Sequence, residues 1–218
     1  MVFDIAVALD LIERAVKPFP RAAMFELAAR GYADPFQQLV ACIISIRTRD
    51  ETSLPLAERL LTVAPSAKEM AELPIEELTR ILAPSTFARR KAVQIQSIAR
   101  RVAEQFAGNL PCDRELLLSF AGVGIKCANL TLGIACGEER MSVDVHVHRI
   151  VNRWGYVSTP SPEATTKALE LEMPSQYWVR TNALLVPFGK HICTGQMPRC
   201  STCPVLEMCA QHGVTRHR

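Results

Sequence analysis

The chain has 218 residues, 49% of them apolar and 22% charged, with 25 Lys+Arg against 22 Asp+Glu for a formal net charge of +3. This apolar content and small net charge exclude intrinsic disorder, and no run of roughly 18 apolar residues offers a membrane-spanning helix. Asp4, Asp10 and Glu13 break the N-terminal apolar pattern, unlike a secretory signal peptide, so the expectation is a cytoplasmic, intracellular protein with no membrane partner.

Helical periodicity runs through nearly the whole sequence. Residues 4–17 place Ile5, Leu9, Ile12 and Val16 on one stripe. At 34–46, Asp34 before Pro35 supplies a cap and a first-turn proline ahead of Leu39, Ile43 and Ile44. Ser53–Val63 and Pro74–Leu82 are further amphipathic segments. The clearest stripe is Ile95, Ile98, Val102 and Phe106 within 90–106, ended by Gly108. Asp113 can cap 114–120, Gly124 opens a helix to about 136, and Asp144 can cap 145–155. Ser161-Pro162-Glu163 starts another helix, and 175–188 is the last. Only short pieces near 141–143 and 156–158 suggest strand, so the predicted fold is all-α with about ten helices.

Charge is balanced to residue 150, with 18 basic and 18 acidic residues, and 7 to 4 beyond it. Nucleic-acid binding is therefore not announced by global charge. Arg89-Arg90-Lys91 at the start of a helix reads first as a solvated face, although these charges oppose the helix dipole.

Eight cysteines divide into two sets. Cys42, Cys112, Cys127 and Cys136 lie scattered and read as small buried hydrophobes. Cys193, Cys200, Cys203 and Cys209 crowd together as C-x6-C-x2-C-x5-C, in a segment with too little apolar material for its own core. Such a segment folds around a metal. Structural zinc usually offers paired C-x2-C knuckles and here there is one; four thiolates suit a [4Fe–4S] cluster equally well, so spacing leaves both open.

Residues 113–136 read as helix, Gly-Val-Gly hairpin, helix. Two glycines let backbone approach a ligand closely and aim N–H groups outward, although a simple helical corner has the same signature. Lys126 stands two residues into the second helix, at the positive end of its dipole, which disfavours its charge and suits a nucleophilic amine. Asp144, eighteen residues on, is by default an N-cap. His146 and His148, at i and i+2, do not share a helix face, which disfavours a His-x-His metal site.

Together the segments FAGVGIKCAN and SVDVHVHRIVNR and the cysteine spacing resemble the endonuclease III branch of the helix-hairpin-helix DNA glycosylases, from about Asp34 to Cys209. The resemblance implies two all-α lobes. A six-helix barrel would span 28–138 and include the hairpin; a cluster lobe would join 1–27 to 139–218. It implies a base-excision-repair glycosylase with AP lyase activity, acting as a monomer on double-stranded DNA with damaged bases, oxidised pyrimidines above all, or abasic sites. Lys126 and Asp144 match the catalytic residues, Gly122, Val123 and Gly124 the phosphate-holding hairpin, and Cys193, Cys200, Cys203 and Cys209 the [4Fe–4S] ligands. The sequence also departs from the family. Arg47 stands where a gap-filling glutamine is usual, and Thr86-Phe87 where glycine and leucine are common. Between the first two cluster cysteines Arg199 is the one basic residue. These departures bear on lesion preference and DNA contact, and they are compatible with a paralogue of weak or altered glycosylase activity. A monofunctional glycosylase would lack Lys126, and a non-catalytic iron–sulfur DNA-binding module would need neither Lys126 nor Asp144.

Overall fold

The computed structural model describes residues 3–218, and within them every regular element is helical. Neither 141–143 nor 156–158 forms a strand; both are irregular connections on either side of the helix Val145–Trp154. The chain divides into two compact units, Ala23–Glu138 and Met1–Ala22 with Glu139–Arg218. A break between residues 27 and 28 would cut a helix, α2 (Ala23–Ala29), and the division falls before it instead.

In the 23–138 unit, α3 (Pro35–Ser45) is the central helix, with Leu39, Val40, Ala41, Cys42, Ile43 and Ile44 all buried. Asp34 caps it as the sequence predicts, Oδ1 accepting from the Phe36 and Gln37 amides. α4 (Asp50–Val63) begins three residues earlier than expected, with Asp50 and Glu51 against the positive end of its dipole. α5 (Ala67–Glu72) was not predicted, although Ser66 and Glu69 form a reciprocal capping box. α6 (Ile75–Leu82) and the long α7 (Ala88–Gln105) follow their stripes, with Ile95, Ile98 and Val102 buried. α8 (Arg114–Ser119) and α9 (Ile125–Ala135) form the two arms of the hairpin.

The scattered cysteines do not act as isolated hydrophobes. Cys42 pairs with Cys127, tying α3 to α9, and Cys112 pairs with Cys136, joining the residues that flank the hairpin motif. Cys42 and Cys127 are buried as expected, whereas Cys112 is exposed. Cross-links restrict the unfolded chain, which is their main contribution to stability.

The second unit packs α1 (Ile5–Val16) and α10 (Val145–Trp154) against α12 (Trp178–His191), with α11 (Pro162–Glu172) alongside α10. Its core joins Leu9 and Ile12 to Val147, Ile150, Trp154, Leu185 and Phe188. Gly189 permits the α10–α12 approach, since a Cβ there would lie 2.7 Å from His146 Nδ1. After α12 the chain turns through two short 3-10 segments, Cys200–Thr202 and Leu206–Met208.

Candidate active site

Between α8 and α9 the chain turns through Phe120–Gly124. Gly122 has φ +79, and a Cβ there would meet the Gln94 side chain at 2.9 Å, so both backbone and space require glycine. Gln94 Nε2 in turn donates to the Ala121 carbonyl at 2.8 Å and holds the turn. Gly124 is the N-cap of α9, carries no capping side chain, and faces open space where its Cβ would be. The first-turn amides of α9 therefore lie beside a surface that an anion can approach. Val123 plays a different part from its two neighbours: its side chain is buried in the core and its N–H donates to the Phe120 carbonyl. Lys126 is exposed in the first turn of α9, next to the buried, disulfide-bonded Cys127 that anchors that turn to α3.

Two further predicted positions meet on the same unit. Arg47 follows α3 and Phe87 precedes α7, and both have left-handed backbone, φ 52 and φ 60. The Arg47 guanidinium lies 5.9 Å from the centre of the Phe87 ring, and the ring is 54% exposed. Thr86 clasps the pair, its hydroxyl donating to the Arg47 carbonyl at 2.8 Å and its amide to Thr48 Oγ1 at 3.3 Å.

Arg89 and Arg90 lie on the solvated face assigned to them, but Lys91 does not. It is buried, and Nζ donates to the carbonyls of Ile44 and Ile46 at 2.7 and 2.8 Å and to Thr48 Oγ1 at 2.9 Å. Its acceptors are more than 40 residues away in sequence, so no local pattern could reveal them. Burial pulls the Lys91 ammonium from its ordinary 10.5 down to about 8. Between those two values the unfolded chain binds more protons than the folded protein, so this group makes stability rise with pH across that window. Replacing Lys91 with Met should flatten the pH–stability curve between about pH 8 and 10.5, measured by urea unfolding at fixed ionic strength. An unchanged slope would show that the ammonium carries no such burial cost.

On the second unit, Asp144 caps α10 through Oδ1, which accepts from the His146 and Val147 amides at 2.9 Å each. Both cap bonds fall on one oxygen, so capping does not consume Oδ2. His146 turns toward Arg149 and His148 toward Thr165, so the two imidazoles have different partners.

Cys193, Cys200, Cys203 and Cys209 form no disulfide and line one small, partly open cavity, with Trp154, Phe188 and Ile192 on its apolar side. Among the described residues no three His, Cys, Asp or Glu side chains close on a single metal ion. Four thiols spaced around a cavity fit a polynuclear group better than one ion. Arg153, not singled out in the sequence, anchors the loop through Nη1 to the Thr194 carbonyl and Nη2 to the Gly195 carbonyl, both 2.6 Å, with Nη1 3.4 Å from Cys193 Sγ. Arg149 donates to the Gly189 and Cys193 carbonyls; burial pushes its guanidinium down while Cys193 acts in the opposite sense. Burial pushes the Cys203 thiol up to about 11. The buried Arg153 beside the Cys193 sulfur and the half-buried Arg149 on its carbonyl suit an anionic, thiolate-ligated group. Arg199 is exposed at the start of the Cys200–Thr202 turn.

Comparison with known proteins gives a consistent family. A family model described as HhH-GPD superfamily base excision DNA repair protein matches residues 40–174. The chain is 36% identical over 200 residues to an endonuclease III of Thermotoga maritima, covering 92% of this chain and 91% of that protein. It is 39% identical over 186 residues to endonuclease III homolog 1, chloroplastic, of Arabidopsis thaliana, covering 80% of this chain and 48% of that longer protein. A solved structure of a trapped endonuclease III–DNA covalent intermediate aligns with a TM-score of 0.81 and 27% identity, covering 97% of each chain.

Proposed function

The chain belongs to the HhH-GPD superfamily of base excision DNA repair proteins, with endonuclease III among its relatives, and we infer that it is a DNA glycosylase with AP lyase activity whose nucleophile is Lys126. The observation that carries this reading is an exposed primary amine in the first turn of α9, directly behind a glycine hairpin. DNA backbone held on the hairpin's glycine side would bring a deoxyribose within reach of that amine.

A base inside a duplex cannot be attacked, so the damaged nucleotide is flipped out at a cost of a few kcal/mol in lost stacking. Lys126 Nζ then bonds to C1′ while the base leaves with the electron pair of the glycosidic bond; the amine gives up a proton, and the proposed role of Asp144 is to accept it or to stabilise positive charge at C1′. Opening of the sugar ring yields a protonated imine between lysine and C1′. This imine acidifies the 2′-hydrogen; loss of that proton and expulsion of the 3′-phosphate cut the strand on the 3′ side. Water finally releases the lysine. Oxidised pyrimidines in duplex DNA are the proposed substrates.

Cys193, Cys200, Cys203 and Cys209 are proposed to hold a [4Fe–4S] cluster, supported by the thiol set, the cavity and the adjacent guanidinia. Bound there, the cluster supplies a cross-link for a segment with little core of its own, together with capacity for electron transfer. Arg199 on that segment is the proposed phosphate contact.

A panel of duplexes carrying thymine glycol, dihydrouracil, uracil, 8-oxoguanine or an abasic site tests the activity, scored separately for base release and nicking. Release and nicking of the two oxidised or reduced pyrimidines is the expected result; nicking of the abasic duplex alone would restrict the protein to AP lyase. Asp144→Asn should slow base release by about 10²–10⁴-fold while a pre-formed abasic site stays partly cleavable, because its aldehyde needs less electrostatic help. Equal losses on both substrates would remove Asp144 from the glycosidic step.

A further inference from the structure

Arg47 and Phe87 hold left-handed backbone without being glycine, a strained conformation for both. Such residues persist only where their surroundings over-determine them. Here a set of contacts does so. The α3 C-terminus and the turn after it present the carbonyls of Ile44 and Ile46 and the Thr48 hydroxyl to one buried ammonium, Lys91 Nζ. Lys91 lies one turn into α7, and its own amide donates to the Phe87 carbonyl at 3.0 Å. A single residue thus links the turn bearing Arg47 to the helix start bearing Phe87, with Thr86 closing the contact from the other side.

What this arrangement holds in place is an exposed aromatic ring beside an exposed guanidinium. Neither contributes to a core. A flat ring and a planar cation are groups that stack on nucleic-acid bases. We propose that Lys91 is a positioning residue for base flipping, its ammonium fixing the 44–48 turn so that Arg47 and Phe87 together fill the space a flipped nucleotide leaves in duplex DNA. The inference rests on reading Arg47 and Phe87 as those space-filling residues. Lys91 touches no reacting atom and acts through the pair.

The strand context of the substrate separates this role from simple support of the fold. An abasic site in single-stranded DNA has no stacked helix and no opposing base, so nothing has to be filled. Lys91→Met and Thr48→Val should lower kcat/KM on an abasic duplex by about 10- to 100-fold, chiefly through KM, and leave single-strand cleavage within about twofold. Lys91→Arg, which keeps a cation and donors, should recover part of the duplex activity. Thr48→Val removes, with little change of shape, the hydroxyl that accepts from both Lys91 Nζ and the Thr86 amide, and keeps the test decisive if Lys91→Met does not fold. Parallel losses on both substrates, or wild-type duplex activity in both variants, would overturn the proposal. Arg47→Ala and Phe87→Ala are the controls. If they shift the duplex-to-single-strand ratio and the Lys91 and Thr48 variants do not, the positioning role fails alone. If the controls leave that ratio unchanged, the space-filling reading fails and the inference falls with it.

Discussion

Borohydride added during turnover is expected to leave wild-type protein covalently attached to abasic DNA, and Lys126→Gln to abolish both that adduct and strand cleavage. The reduction works because the intermediate is an imine, which hydride converts to a stable amine. Glutamine keeps a polar side chain, one bond shorter and uncharged, but offers no amine, so the C–N bond cannot form. The hairpin that would hold the backbone is built from Gly122, Gly124 and the Gln94 contact to Ala121, none of which the substitution touches. Binding of abasic duplex should therefore persist, within a few-fold, while cleavage falls by on the order of 10⁴–10⁶-fold, the scale on which removal of a covalent nucleophile acts. Adduct formed undiminished by Lys126→Gln would make another amine the nucleophile. Lys91 is a poor alternative, since its Nζ is buried and engaged with three acceptors.

Loss of a single cluster ligand should act as strongly on stability. The 193–209 segment has few buried apolar groups, Pro198, Cys200 and Val205 among them, and leans on Arg153 for its first turn. Wild-type protein should be yellow-brown from thiolate-to-iron charge transfer, with close to four iron atoms per chain by elemental analysis. Cys203→Ala should lose the colour, and limited proteolysis should cut first within 193–209. The expected loss of stability is several kcal/mol, since binding free energy at a site that does not exist in the unfolded chain is folding free energy. Colourless wild-type protein with one zinc per chain would overturn the cluster, and brown Cys203→Ala of wild-type stability would remove that residue from the ligand set. Because Trp154, Phe188 and Ile192 also line the cavity, apo-protein should keep the α10–α12 packing and loosen at the C-terminal loop. Amide hydrogen exchange would locate the change.

Much of this molecule could be read along the chain because its determinants are local. The stripe Ile5, Leu9, Ile12 and Val16 predicts α1 and its buried face, and Asp34-Pro35 and Asp144 predict two helix starts and their caps. The positions of Lys126 and the four C-terminal cysteines follow from residue type and spacing, which suit a nucleophilic amine and a zinc or iron–sulfur site; only the family resemblance points from there to a [4Fe–4S] cluster. Two short helices, α2 and α5, escaped because six or seven residues carry too little periodicity to stand out, although the Ser66–Glu69 pair was a usable signal.

What tertiary structure alone decided are the pairings between distant segments. Cys42 and Cys127 stand 85 residues apart, and their apolar surroundings look the same whether the thiols are single or paired. Arg89, Arg90 and Lys91 are consecutive cations with one composition and one local context, yet the third enters the protein and the other two do not. A helix turns about 100° per residue, so neighbours in sequence face different surroundings. Whether a lysine on the inward face is tolerated depends on acceptors from another element. Here those acceptors are carbonyls at the end of α3, which its hydrogen-bond ladder leaves unsatisfied. Helix faces are encoded by spacing within a dozen residues, whereas the partner of an inward charge is set by which helix end the fold brings against it.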